Sequence, residues 1–108
     1  MIVGISATEI TRKKITRGSV LAALYDSQSA PMMVSTLELS LLPVNPEISS
    51  EIVPCVNFLM DRGYIAVIHP DEPTVNPMRG VLVRITDKGQ DVVEGTVRDA
   101  SVIFADGR

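Results

Sequence analysis

The chain has no tryptophan, one cysteine and one histidine, and aromatic residues make up only 4% of it. Each shortage excludes something. Base-stacking platforms for single-stranded nucleic acid need several aromatics on one surface, so that class is hard to build here. One cysteine excludes a disulfide framework, and one cysteine with one histidine excludes an ordinary Cys/His zinc site, which takes four ligands. A single histidine also leaves little material for a nucleophile–histidine pair. There is no glycine-rich phosphate loop, no Ser–His–Asp set and no spaced carboxylate pair, so the chain is not expected to be an enzyme, and no cofactor or metal is implied. No run approaches the ~18 apolar residues of a membrane span. The opening Met1-Ile-Val-Gly-Ile has neither the basic segment nor the long apolar stretch of a secretory signal, which points to the cytoplasm and to no membrane partner.

What is present suffices for a core. Of 108 residues, 45% are hydrophobic and 21% charged, a composition that packs rather than stays disordered. The length is that of one domain, residues 1–108, with a core over about 8–97 and a C-terminal tail over 98–108. Net charge is −3, yet the basic groups are concentrated: Arg12, Lys13, Lys14 and Arg17 fall within one short stretch.

The periodicity predicts mainly α structure with a small β-hairpin. Thr8-Glu9-Ile10 reads as a helix start, with Thr8 as cap and Glu9 at the positive end of the dipole. The pattern continues through Ile15, Val20, Leu21 and Leu24, either as one long helix or as a basic segment followed by a helix from Thr16. Gly18 weakens it by about 1 kcal/mol relative to alanine. A second helix is expected over 35–42, capped by Ser35 and ended by Pro43. A third opens at Ser49-Ser50-Glu51, carries Ile52, Val56 and Leu59 on one stripe, tolerates Pro54 at or just after its first turn, and closes at Gly63 as the left-handed cap residue. The period then changes. Residues 64–69 and 80–85 are β-rich and should pair antiparallel across a proline-rich tip. Thr86-Asp87-Lys88-Gly89-Gln90 caps a fourth helix, with Val92, Val93 and Val97 inward. The predicted common core is Leu21, Leu24, Leu37, Leu41, Ile52, Val56, Leu59, Ile65, Val83 and Ile85, with Met32, Met33 and Met60 as gap fillers.

This order of elements resembles a winged helix-turn-helix domain. Three segments carry the resemblance: the helix–turn–helix unit from Ser35 to Gly63, the joint Asp61-Arg62-Gly63-Tyr64-Ile65, and Val83-Arg84-Ile85-Thr86-Asp87-Lys88-Gly89. The last looks like the end of the wing in bacterial winged-helix regulators, where a strand runs into Leu-Thr-x-x-Gly and a final helix. The run from Ile85 to Gly95 also resembles small winged-helix proteins of Mu-like phages and prophages, often described as arsenic-regulator-like transcription factors. The resemblance implies a DNA-binding fold. The metal-sensing thiolates of that regulator family have no counterpart, because Cys55 stands alone; it reads as a small half-buried side chain. His69 reads as a solvated loop residue.

In that fold the third helix enters the major groove and the wing meets the backbone or minor groove. The outward residues here would be Ser49, Ser50, Glu51, Pro54, Cys55, Phe58 and Asp61, of which Ser49, Ser50 and Glu51 are the candidate DNA contacts. No Arg or Lys, the usual partners of guanine, lies on this face, so it equally suits a helix that faces protein. Arg12, Lys13, Lys14 and Arg17, joined by Arg79, Arg84 and Lys88, are the candidate phosphate contacts; the alternative for such a run is a solvated helix face. Two functions follow. One is a small transcriptional regulator that binds double-stranded DNA. The other is a non-enzymatic interaction module with the same fold, in phage assembly or packaging. A homodimer is expected, with Val97, Val102, Ile103 and Phe104 of the tail in its interface.

Overall fold

A computed structural model describes residues 7–28, 30–68 and 80–107. The first helix, α1 (Ala7–Asp26), is continuous through Gly18. Thr8 therefore lies inside its first turn instead of preceding it as a cap. Thr16, Gly18, Val20, Leu21 and Leu24 form its buried stripe. The helix ends as Ser27 N–H donates to the Ala23 carbonyl at 3.1 Å, and the chain then turns through Gln28, whose φ is 60°.

A strand that the sequence reading did not include follows: β1 (Met32–Met33). Two residues are too few to show an alternation. Their placement depends on a distant partner, β3 (Leu82–Ile85), against which Met32 faces Val83 and Met33 faces Leu82. The next helix, α2 (Val34–Leu41), starts directly from this strand. Ser35 was the expected cap, but Met33 holds that position and makes no side-chain bond. The Val34 N–H, otherwise unpaired at a helix start, donates to the Val81 carbonyl at 3.1 Å. The sheet does the work of the cap.

Pro43 ends α2, and the Asn45 N–H donates back to the Leu41 carbonyl at 2.9 Å. The third helix, α3 (Ile48–Asp61), buries Ile48, Ile52, Cys55, Val56 and Leu59. Two expectations need correction here. Cys55 is buried rather than half-buried or outward, at 6% exposure, and burial pushes its thiol pKa up to about 12. Pro54 sits in the second turn, because the helix begins at Ile48 instead of Ser49; it leaves the Ser50 carbonyl without its i+4 donor. At the far end Gly63 adopts φ 77°. Gly63 N–H donates to Met60 O and Tyr64 N–H to Leu59 O, each at 2.9 Å. This pair of bonds is the Schellman closure that a left-handed glycine permits.

Strand β2 (Ile65–Ile68) pairs antiparallel with β3, and the three strands are ordered β1-β3-β2. Ile65 faces Ile85 and Val67 faces Val83 on the core side. The expected hairpin pairing is therefore present. Its tip, with His69 and Arg79, lies outside the described residues. The last helix, α4 (Asp87–Val93), is capped as expected: the Thr86 hydroxyl accepts from Gly89 N–H at 3.1 Å. The same hydroxyl donates to the Gly63 carbonyl at 2.6 Å, tying α4 to the end of α3. Gly89 has no room for a side chain, since an added Cβ would meet the Tyr64 carbonyl oxygen at 2.2 Å.

All ten predicted core residues are buried. Val92 and Val93 are too, whereas Val97, expected inward, is exposed, and Met33 is only partly covered. The tail crosses α1. Ile103 N–H donates to the Lys14 carbonyl at 3.0 Å, Arg17 Nη1 donates to the Ser101 carbonyl at 3.0 Å, and Val102 is buried in the chain's own core. Among the described residues no helix is long and apolar enough to cross a membrane.

Candidate nucleic-acid interface

The packing of α1 on α3 leaves a groove of about 330 Å³. Arg12, Lys13, Thr16 and Arg17 line one wall, and Ser50, Glu51, Pro54 and Phe58 the other, with Cys55 behind them. Five of the candidate contacts, Arg12, Lys13, Arg17, Ser50 and Glu51, thus meet along one surface.

Several are engaged by the protein itself. Arg12 Nε donates to Glu51 Oε1 at 2.8 Å, and its Nη1 lies 3.2 Å from Glu47 Oε2. Asn45 Nδ2 donates to Glu51 Oε2 at 2.7 Å and to Thr16 Oγ1 at 3.2 Å. The Thr16 hydroxyl has one proton for two acceptors, the Arg12 carbonyl at 3.0 Å and Glu51 Oε2 at 3.2 Å. Thr16 is 4% exposed, and a buried hydroxyl must find such partners. Burial alone would raise the pKa of Glu51. The hydrogen bonds from Asn45 and Arg12, the Arg12 charge and the Thr16 bond outweigh it and lower that pKa. The side chain of Glu51 is therefore ionised and turned inward, with 11% exposure. It is not an outward group, contrary to its place in the sequence reading.

Phe58 is not outward either. Its half-buried ring lies under two guanidinium groups, Arg17 at 3.7 Å and Arg62 at 4.8 Å from the centroid. Arg62 in turn pairs with Asp99 at 3.3 Å. Asp99 also accepts from the Tyr64 hydroxyl, from Ser101 N–H at 2.8 Å and from the Ser101 hydroxyl. Burial would raise its pKa, but the bonds from Ser101 and Tyr64 and the Arg62 charge bring it down to about 2.

Of the four basic residues on α1, Lys13 is exposed and the others half-buried. Lys14 does not line the groove. Ser49 is exposed in the first turn of α3. Arg84 is exposed on the outer face of the sheet, opposite Ala66. Lys88 lies on α4 beside Gly63, its Nζ 5.7 Å from the Tyr64 ring. Neither reaches the groove. Arg79 is outside the described residues.

Asn45, Thr16 and Asp99 were not singled out from the sequence. Asn45 reads locally as a turn residue between Pro43 and Pro46, and nothing local pairs it with Glu51. A second groove, of about 860 Å³, lies between the first half of α1 and the α2–α3 turn, with Ile15, Leu41, Val44 and Ile48 on its walls. Among the described residues no group of three or more His, Cys, Asp or Glu is placed to hold a metal ion. Comparison with protein-family models, curated proteins and solved structures gives no match.

Proposed function

We propose that this chain is a winged helix-turn-helix protein that binds double-stranded DNA, a small transcriptional regulator of the kind carried by Mu-like phages. The order α1, β1, α2, α3, β2, β3, with a sheet ordered β1-β3-β2, supports the fold assignment. One observation supports the activity above the others: Glu51 is turned into the Arg12–Asn45–Thr16 cluster. A carboxylate on the outer face of α3 would repel phosphate. With Glu51 inward, that face offers Ser50 and Pro54 beside Lys13, with Ser49 and Asn57 also exposed, and its remaining carboxylate, Asp61, stands at the C-terminal end of the helix. Lys13 and Arg17 then meet phosphates and hold α3 in register, and the helix face meets base edges.

A gel shift with random-sequence duplex DNA between 50 and 200 mM salt tests this. Binding should weaken steeply with salt. Lys13→Glu should weaken binding to all duplexes alike and reduce the salt slope by about 1. A chain that shows no salt-sensitive binding at 50 mM is not a DNA-binding protein.

A second observation favours an interaction module. Leu39 and Val44 are 68% and 75% exposed, with Leu42 beside them. Large exposed apolar groups in one region mark partner surfaces. Self-association could use this region or the tail, where Val97 and Ile103 are exposed while Val102 is buried in its own chain.

A further inference from the structure

Within the DNA-binding reading, on which this inference rests, the outward stripe of α3 is the face turned to base edges. At 100° per residue, Ser50, Pro54, Asn57 and Asp61 fall within an arc of about 60°. All four are exposed. The buried residues Ile48, Ile52, Cys55, Val56 and Leu59 lie on the opposite side. The stripe is about 17 Å long, or roughly five base-pair steps of 3.4 Å.

The groups on it are chemically selective. Guanine is read by two parallel donors from Arg or Lys, and the stripe has neither. Cytosine is read by a carboxylate accepting from N4, and Glu51 is held inward by Arg12, Asn45 and Thr16. Asp61, the last residue of the helix and one turn beyond Asn57, carries a carboxylate that can only accept. The Ser50 hydroxyl donates to the Glu47 carbonyl at 3.0 Å, so its oxygen is left only to accept. Asn57 is the one residue of the stripe whose side chain both donates and accepts, the pairing that adenine N6 and N7 require. Pro54, one turn before it, offers an apolar ring of the kind that packs on a thymine methyl.

We infer that Asn57 is a specificity-determining residue, and that this helix selects sites with an A·T pair under it. The test is selection from a random duplex pool, followed by affinity measurements on the enriched site. An A·T position should emerge, and its change to G·C should weaken binding by about 5- to 150-fold. Asn57→Ala should abolish that discrimination while leaving the salt slope and the melting temperature unchanged, because Asn57 is exposed. Asn57→Gln, which offers the same pair of groups, should restore part of it. Salt-sensitive binding without an A·T preference, or a preference that survives Asn57→Ala, overturns the inference and leaves the DNA-binding reading standing. Absence of salt-sensitive binding overturns both.

Discussion

A Cβ added at Gly18 would lie 2.0 Å from the carbonyl oxygen of Ile103. The tail therefore packs directly on the backbone of α1, and glycine at this position is a condition of that contact. Helix propensity alone favours Gly18→Ala by about 1 kcal/mol. The contact decides otherwise. Alanine must push the tail away, and with it the Ile103–Lys14 and Arg17–Ser101 bonds and the burial of Val102. Gly18→Ala should lower stability by about 1–3 kcal/mol net. A melting temperature at or above that of the unmodified protein would refute this placement of the tail.

Thr86 joins two helices through one hydroxyl. It accepts from Gly89 N–H to cap α4 and donates to the Gly63 carbonyl behind α3. Losing a cap costs about 0.5–2 kcal/mol, and the second bond adds about 0.5–1.5. Thr86→Ala should fall near 1–3 kcal/mol in denaturant unfolding, and Thr86→Ser should recover most of it. Equal losses in the two variants would mean that the methyl group, not the hydroxyl, matters.

The contrast between Thr86 and Gly18 shows what was legible in the sequence. Thr86, Gly63 and the stripe Ile52–Val56–Leu59 are local signals: a capping hydroxyl, a left-handed glycine, a helical period. Each predicted its structure correctly. The residues that were misplaced depend on distant partners. Met32 and Met33 become a strand only because β3 lies beside them. Glu51 turns inward because Arg12 and Thr16 arrive from α1, 39 and 35 residues away in sequence. The reason for Gly18 lies 85 positions further on, at Ile103. The candidate interface was half legible in the same sense. Its basic and polar residues could be named, but which of them were already paired could not.

The Glu51 cluster should behave as a unit. Glu51→Ala removes the nearer of the two acceptors of Asn45 and leaves the buried Thr16 hydroxyl with the Arg12 carbonyl as its one acceptor, so about 1–3 kcal/mol should be lost. Arg12→Ala should cost less, because Arg12 is 41% exposed and its ion pair is partly screened. In a double-mutant cycle the two should be coupled by up to about 1 kcal/mol. Strict additivity would show that the pair contributes nothing to holding α1 against α3.

The pH dependence of stability should carry the mark of Asp99. Its pKa is about 2 in the folded chain against 3.8 for an ordinary aspartate. A carboxylate with a depressed folded pKa stabilises the fold above its unfolded pKa, and that stabilisation is lost as pH falls through the folded value. The window therefore runs from about pH 4 down to about pH 2. Tyr64 does not confuse it, because burial and the neighbouring Asp99 carboxylate raise the phenol's pKa and keep it a neutral donor throughout. Glu51, also depressed, adds to the loss of stability on the acid side. Asp99→Asn should be less stable than the unmodified protein at pH 7, with a flatter decline between pH 4 and pH 2. Adding Glu51→Gln should flatten it further. Denaturant unfolding at pH 7, 4, 3 and 2 measures both, and parallel curves for Asp99→Asn and the unmodified protein would show that Asp99 does not anchor the tail through its charge.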